Sequence, residues 1–218
     1  MKKFPIEKVV SVLKDYVQDL PVPIVELIEA QTKDPFKVLV TTILSARTKD
    51  ETTAFVVKKL FKKIKKPHDF DKYSEEEVRD LIYPVGFYTN KAKYLKDLPD
   101  AIDREFSGVL PSTVEELILL PGVGRKTANL VVAVAFEKPA ICVDVHVHRI
   151  SNRLGYIVTK DPLETEMKLR EILPRKLWMT YNTYLVAFGQ HTCRPISPKC
   201  SICPVKKYCK QVGVEKTR

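Results

Sequence analysis

Apolar residues recur along this chain three and four positions apart. Val57, Leu60, Phe61 and Ile64 form one such stripe, with Lys58, Lys59, Lys62, Lys63, Lys65 and Lys66 around it. That spacing predicts an amphipathic helix with one face in a core. The lysines read first as a solvated helix face and second as a contact for a polyanion. The run Val38-Leu39-Val40-Thr41-Thr42-Ile43-Leu44 is β-branched. Asp34-Pro35 precedes it, however, and supplies a cap residue and a proline at the first helical position, so a buried helix is expected. Asp161-Pro162 repeats that start. Thr48 with Glu51, Ser74 with Glu77 and Ser112 with Glu115 have capping-box spacing and predict three more starts. Gly86, Gly108 and Gly155 fall where helices should stop. Pro99 should kink or divide the helix that surrounds it. Pro139-Ala140-Ile141-Cys142-Val143 reads as a short extended connector between two helices. With strand signals this poor and only 7 glycines for tight turns, the expected fold is all-α.

The chain has 218 residues, which predicts one large domain or two small ones. That length buries a core without disulfide support. No stretch approaches the ~18 unbroken apolar residues of a membrane helix. The basic start Met1-Lys2-Lys3 leads into Glu7 and Lys8 rather than an apolar run, so no secretory signal is expected and the default compartment is the cytoplasm. Charge changes the picture more. Thirty-seven basic residues against 27 acidic ones leave a net charge of +10, which points to a polyanionic partner, most simply nucleic acid. A lysine-rich solvated surface would give the same count.

Four of the five cysteines, Cys193, Cys200, Cys203 and Cys209, lie in one short segment with the pattern C-x6-C-x2-C-x5-C. Four thiolates this close in sequence can surround one metal centre, and both zinc and a [4Fe–4S] cluster accept them. Spacing chooses only weakly between the two. The simplest role is a metal staple without chemistry of its own. Arg194, Lys199, Lys206, Lys207 and Lys210 crowd the same segment, where they either offset thiolate charge or touch phosphates. Cys142, alone in an apolar stretch, reads as a buried core thiol.

The most informative segment is Leu117-Ile118-Leu119-Leu120-Pro121-Gly122-Val123-Gly124-Arg125-Lys126-Thr127-Ala128. A short apolar helix should end at Leu119 or Leu120, a tight turn should follow, and a second helix should start near Arg125. Two glycines let the backbone approach a ligand closely. The N–H groups at the new helix start favour an anion, and one DNA phosphate fits that geometry without base specificity. Lys126 falls in the first turn of that helix, a poor place for an ammonium and a good one for a nucleophilic amine. Asp144 follows eighteen residues later, inside Val143-Asp144-Val145-His146-Val147-His148-Arg149. Taken alone it reads as an N-cap. His146 and His148 point to different helix faces and make a metal site there improbable.

Together these residues resemble the endonuclease III branch of the helix–hairpin–helix DNA glycosylases. The resemblance runs from about Asp34 to Cys209. It rests on Leu120-Pro-Gly-Val-Gly-Arg-Lys126, on Val143-Asp144-x-His146, on the Lys–Asp spacing and on the cysteine box, with Leu44-Ser45-Ala46, Asp50 and Gly86-Phe87-Tyr88-Thr89-Asn90-Lys91-Ala92 in agreement. It implies two helical domains flanking a DNA cleft. Residues 30–138 would form a six-helix barrel with the helix–hairpin–helix. Residues 1–29 and 139–218 would form a helical domain whose four cysteines carry a [4Fe–4S] cluster rather than zinc. It also implies excision of damaged, mainly oxidised, pyrimidines from duplex DNA and strand cleavage by β-elimination, with Lys126 forming a Schiff base and Asp144 as the assisting carboxylate. Gly122, Val123, Gly124, Arg194 and Lys199 would contact DNA. Phe87 would be the wedge that fills the gap in the base stack; otherwise it is a loop residue packed on the protein. Arg47 stands where bacterial relatives have glutamine, at the position expected to enter the duplex opposite the flipped base, which puts lesion and partner-base preference in question. No long C-terminal recognition domain of the adenine-specific kind is expected.

Two other readings remain at this point. One is a thymine or uracil mismatch glycosylase of the same fold, against which Lys126 argues because monofunctional relatives usually carry another residue there. The other is a non-catalytic, metal-stabilised DNA-binding module, in which Lys126 and Asp144 would be spectators. The expected partner is damaged or abasic double-stranded DNA and no membrane. The expected state is a monomer, in the cytoplasm or, in a prokaryote, at the nucleoid.

Overall fold

The computed structural model describes residues 4–18 and 34–218, and every regular element among them is helical. The chain divides into two compact units, a contiguous one of Pro23–Lys138 and a split one that joins Met1–Val22 to Pro139–Arg218. The N-terminal edge of the expected barrel, near residue 30, lies outside the described residues. No helix among the described residues is long and apolar enough to cross a membrane.

Helix α1 (Ile6–Tyr16) opens the split unit. The contiguous unit then supplies six α-helices among the described residues: α2 (Pro35–Ser45), α3 (Asp50–Lys63), α4 (Glu75–Ile82), α5 (Tyr88–Phe106), α6 (Val114–Leu117) and α7 (Arg125–Ala135). Asp34 caps α2 by accepting from the backbone N–H groups of Phe36 and Lys37. Val38 through Leu44 are buried without interruption, so this helix has no solvent face and packs on α3, α5 and α7. In α3 the apolar stripe of Val57, Leu60 and Ile64 is buried and all six flanking lysines are exposed. Ser74 and Glu77 form the expected capping box at α4.

Four local expectations are corrected. Thr48 does not cap α3. Lys49 occupies that position with no side-chain bond, because the Thr48 hydroxyl accepts from Gly86 N and Lys91 Nζ instead. The cap of α6 is Thr113 with Glu116, one residue later than Ser112 with Glu115. Ser112 is diverted, since its Oγ accepts from Lys138 Nζ at 2.5 Å. Gly86 ends no helix; a Cβ there would collide with the Arg47 carbonyl, so the glycine permits two backbones to touch. Pro99 does not divide α5, which runs unbroken through it. An internal proline costs ~3 kcal/mol, but Leu95, Leu98 and Ile102 on the same face are buried, each contributing roughly 1.5–3 kcal/mol, and the packing prevails.

In the split unit, α8 (Val145–Arg153), α9 (Pro162–Ile172) and α10 (Trp178–His191) complete the helices. Helix α1 packs on α10, as does α8. Leu13, Ile150, Leu169, Leu185 and Phe188 lie in one core, against which Cys193, Cys203 and Cys209 pack. Residues 139–143 connect two helices without regular structure, as expected, with Cys142 buried.

Candidate functional site

In the contiguous unit the hairpin follows α6, which ends at Leu117, two or three residues before the expected stop at Leu119 or Leu120. The turn then closes through Leu120 N to Leu117 O (3.1 Å) and Val123 N to Leu120 O (3.2 Å). Gly122 has φ +73°, and a Cβ there would sit 2.5 Å from the Tyr94 ring, so both conformation and contact require glycine. Val123 is buried and anchors the turn. Gly124 starts α7 with ordinary extended angles and no side-chain cap. A Cβ there would meet nothing within 4 Å. The glycine therefore keeps the helix start open on its outer side, where backbone N–H groups and the positive end of the helix dipole attract an anion. Lys126 is exposed in the first turn of that helix.

The same unit brings Arg47 and Phe87 together. They lie forty residues apart in sequence, yet the Arg47 guanidinium sits over the Phe87 ring at 5.1 Å. Both backbones are left-handed, at φ +54° and +57°. Phe87 is 58% exposed, too open for a core residue.

In the split unit Asp144 caps α8. Its Oδ1 accepts from His146 N and Val147 N, both at 2.9 Å. The helix thus holds the carboxylate in one orientation, and the modest N-cap reading is correct as far as local geometry goes. Two further side chains of α8 run to the cysteine segment. Arg149 Nη2 donates to His146 Nδ1 (3.1 Å) and to Cys193 O (3.0 Å). Arg153 Nη1 donates to Arg194 O (2.8 Å) and reaches Cys193 Sγ at 3.5 Å, while Nη2 donates to Pro195 O (3.1 Å). Neither arginine was singled out from the sequence. Their i, i+4 spacing beside buried Val147 and Ile150 was the available signal.

All four segment cysteines line one pocket, together with Ile150, Leu154, Phe188 and Val205. None is in a disulfide. Among the described residues, no three of His, Cys, Asp and Glu are gathered as ligands of a single metal ion. Gln211 N donates to Cys209 Sγ at 3.3 Å. Burial pushes the Cys203 thiol up to about 11, and the three neighbouring sulfurs add to the rise. Four sulfurs in an apolar pocket with N–H donors at their rim form a donor set suited to a cationic, thiolate-liganded group. The loop between Cys193 and Cys200 is pinned by Arg153, by Lys199 N to Thr192 O (3.0 Å) and by Arg218 N to Pro198 O (2.9 Å). Arg194 is exposed on it and Lys199 is half-buried.

Comparison with known proteins agrees with these features. Residues 40–175 match the HhH-GPD superfamily of base excision DNA repair proteins. The chain is 46% identical over 176 residues to endonuclease III of Thermotoga maritima, covering 81% of this chain and 83% of that one. Among solved structures, a non-covalent endonuclease III–DNA complex superposes with TM-score 0.85 at 35% identity, covering 97% of this chain and 96% of that one. A trapped endonuclease III–DNA covalent intermediate does so with TM-score 0.79 at 35% identity, covering 94% and 95%. The chain therefore belongs to the endonuclease III family of the HhH-GPD base excision DNA repair proteins.

Proposed function

We propose that this enzyme excises oxidised pyrimidines from duplex DNA and then cleaves the strand, with Lys126 as nucleophile and Asp144 as its assisting carboxylate. The activity class, a base excision repair glycosylase with abasic-site lyase activity, follows from the family. The observation that carries the residue assignment is the exposed Lys126 on the uncapped first turn of α7, directly after the hairpin. A phosphate held by the open N–H groups at the start of α7, just after the Gly122–Gly124 turn, positions the DNA backbone beside that amine, without reading sequence. The damaged base is extruded from the stack. The Lys126 amine attacks C1′ and the bond from C1′ to the base breaks, the base leaving with a proton. Opening of the sugar gives the Schiff base. Loss of a C2′ proton then expels the 3′ phosphate, and water releases Lys126. The Asp144 carboxylate favours the positive charge that develops at C1′ and accepts a proton from Lys126.

Cys193, Cys200, Cys203 and Cys209 are the residues that would hold a [4Fe–4S] cluster. Bound there, it would be held by four thiolates in a pocket also lined by Ile150, Leu154, Phe188 and Val205. The group's role in this reading is structural, to fix the Arg194–Lys199 loop for phosphate contact. Phe87 fills the stack where the base has left, and Arg47 enters the duplex opposite the flipped base.

Borohydride trapping on a duplex with one abasic site or one oxidised thymine tests the assignment. The intact protein should give a covalent adduct and Lys126→Ala none. An adduct that survives the substitution moves the nucleophile elsewhere. No adduct at all, with thymine released from a mismatch with guanine, would make this a mismatch glycosylase.

A further inference from the structure

Lys91, in the first turns of α5, is 5% exposed, and all three hydrogen bonds of its ammonium end on neutral oxygens. They are Leu44 O at 2.8 Å, Ala46 O at 2.6 Å and Thr48 Oγ1 at 3.2 Å. Burial pulls its pKa down to about 8. Taking an ammonium out of water with no carboxylate partner among the described residues is unfavourable, and an apolar side chain would serve packing better. What the ammonium does is local. The carbonyls it binds belong to the C-terminal end of α2, which has orphan acceptors and the negative end of a helix dipole. Thr48 Oγ1 extends the tie by accepting from Gly86 N at 3.1 Å. Gly86 in turn lets its backbone press on the Arg47 carbonyl.

This knot lies beneath Arg47 and Phe87. Arg47 sits between two of the three oxygens that Lys91 binds. The Phe87 carbonyl accepts from Lys91 N at 3.1 Å. Both residues are left-handed, a conformation that costs of order 1 kcal/mol or more for a side chain of this size and persists only where the surroundings impose it. We propose that Lys91 is a positioning residue that clamps the loop after α2 to the start of α5, holding Arg47 and Phe87 as one stacked unit that enters the duplex together. The proposal rests on reading Arg47 and Phe87 as DNA contacts. It means that the guanidinium arrives at the opposite strand already oriented by the ring, so neither side chain has to be ordered at the moment of insertion.

The test uses the full chain and a duplex carrying a tetrahydrofuran abasic analogue with 2-aminopurine opposite it. Insertion beside the analogue unstacks the aminopurine and raises its fluorescence. Lys91→Met keeps side-chain length and removes the charge. It should lose most of that rise and weaken binding to the analogue duplex roughly 10- to 100-fold, the loss expected when two side chains must be ordered at insertion. In an Arg47→Ala/Phe87→Ala background the same substitution should cause no further loss, which is the coupling a clamp requires. An equal loss in both backgrounds makes Lys91 a fold-stabilising residue and overturns the proposal, as does a full fluorescence rise in Lys91→Met alone. If the double alanine variant itself keeps the rise, Arg47 and Phe87 are not the inserting residues, and the reading beneath the proposal fails with it. Thr48→Val cuts the same knot without touching a charge, should act in the same direction less strongly, and replaces Lys91→Met if that variant does not fold.

Discussion

Helix α7 starts at a glycine with no side chain over its first N–H groups, whereas α8 starts under Asp144, whose Oδ1 takes two of them. The two starts have the same backbone chemistry and opposite accessibility. An open start with a dipole behind it is a receptor for an anion from outside. A filled start supports its own carboxylate and points it. One end recognises, and the other presents. A third start is a useful control. In the 3-10 turn Pro67–Lys72, Asp69 Oδ2 accepts from Lys65 N (2.7 Å) and Lys66 N (3.1 Å), while Oδ1 takes Lys72 Nζ (2.7 Å). No proposed catalytic residue lies on that turn.

The largest expected effect comes from the open start. Lys126→Ala should lower strand cleavage by roughly a thousandfold or more, with duplex binding retained in a gel-shift measurement. On the filled start, cap and charge separate. Asn caps as well as Asp, so Asp144→Asn should leave the melting temperature nearly unchanged while single-turnover excision falls about 10²- to 10⁴-fold. Asp144→Ala should add a stability loss of ~1 kcal/mol. Equal activity in Asn and wild type would reduce Asp144 to a cap. Smaller still is the effect of closing the open start. Gly124→Ser fits, because φ is −86° and nothing lies near its Cβ. The hydroxyl should raise stability by a few tenths of a kcal/mol and weaken duplex binding about tenfold by occupying N–H groups meant for phosphate. Unchanged affinity would place the phosphate elsewhere.

The control should move stability alone. The Lys72 ammonium and the Lys65 N–H hold the Asp69 carboxyl at about 2, below its ordinary 3.8. A lowered pKa stabilises the fold above the unfolded value. That contribution, about 2 kcal/mol, disappears as pH falls from roughly 4 to 2. Asp69→Asn should therefore lose it at neutral pH and flatten the acid limb of a denaturation curve, with excision rate per folded molecule unchanged.

The hairpin turn, the Asp144 cap and the gathering of the four cysteines were legible because each is a local pattern. Misplaced features were also local, but had a competitor out of sight. Thr48 has good capping spacing and spends its hydroxyl on Gly86 and Lys91. Ser112 loses its cap role to Thr113 because Lys138 claims it. Lys91, Arg149 and Arg153 were not recognised, since their partners are roughly forty residues away and a charged side chain turned inward looks, in sequence, like any surface lysine or arginine. His68 has Asp71 three residues on at 2.9 Å, but its other ring nitrogen faces Asp103 at 3.3 Å, thirty-five residues away. Only a fold that closes such loops reveals the pairing.

The split of one unit around the other sets an order of events during synthesis. Helix α1 leaves the ribosome before the contiguous unit, with Ile6, Val9, Val10 and Leu13 destined for a core that also needs Tyr181, Leu185 and Phe188 of α10. At ordinary elongation rates of ~5–20 residues per second, those partners follow roughly ten to thirty seconds later. The contiguous unit of Pro23–Lys138 is complete in the interval and can fold as soon as it clears the exit tunnel. The cysteine segment follows the hairpin by some seventy residues, so the pocket it lines closes only after the hairpin has been synthesised.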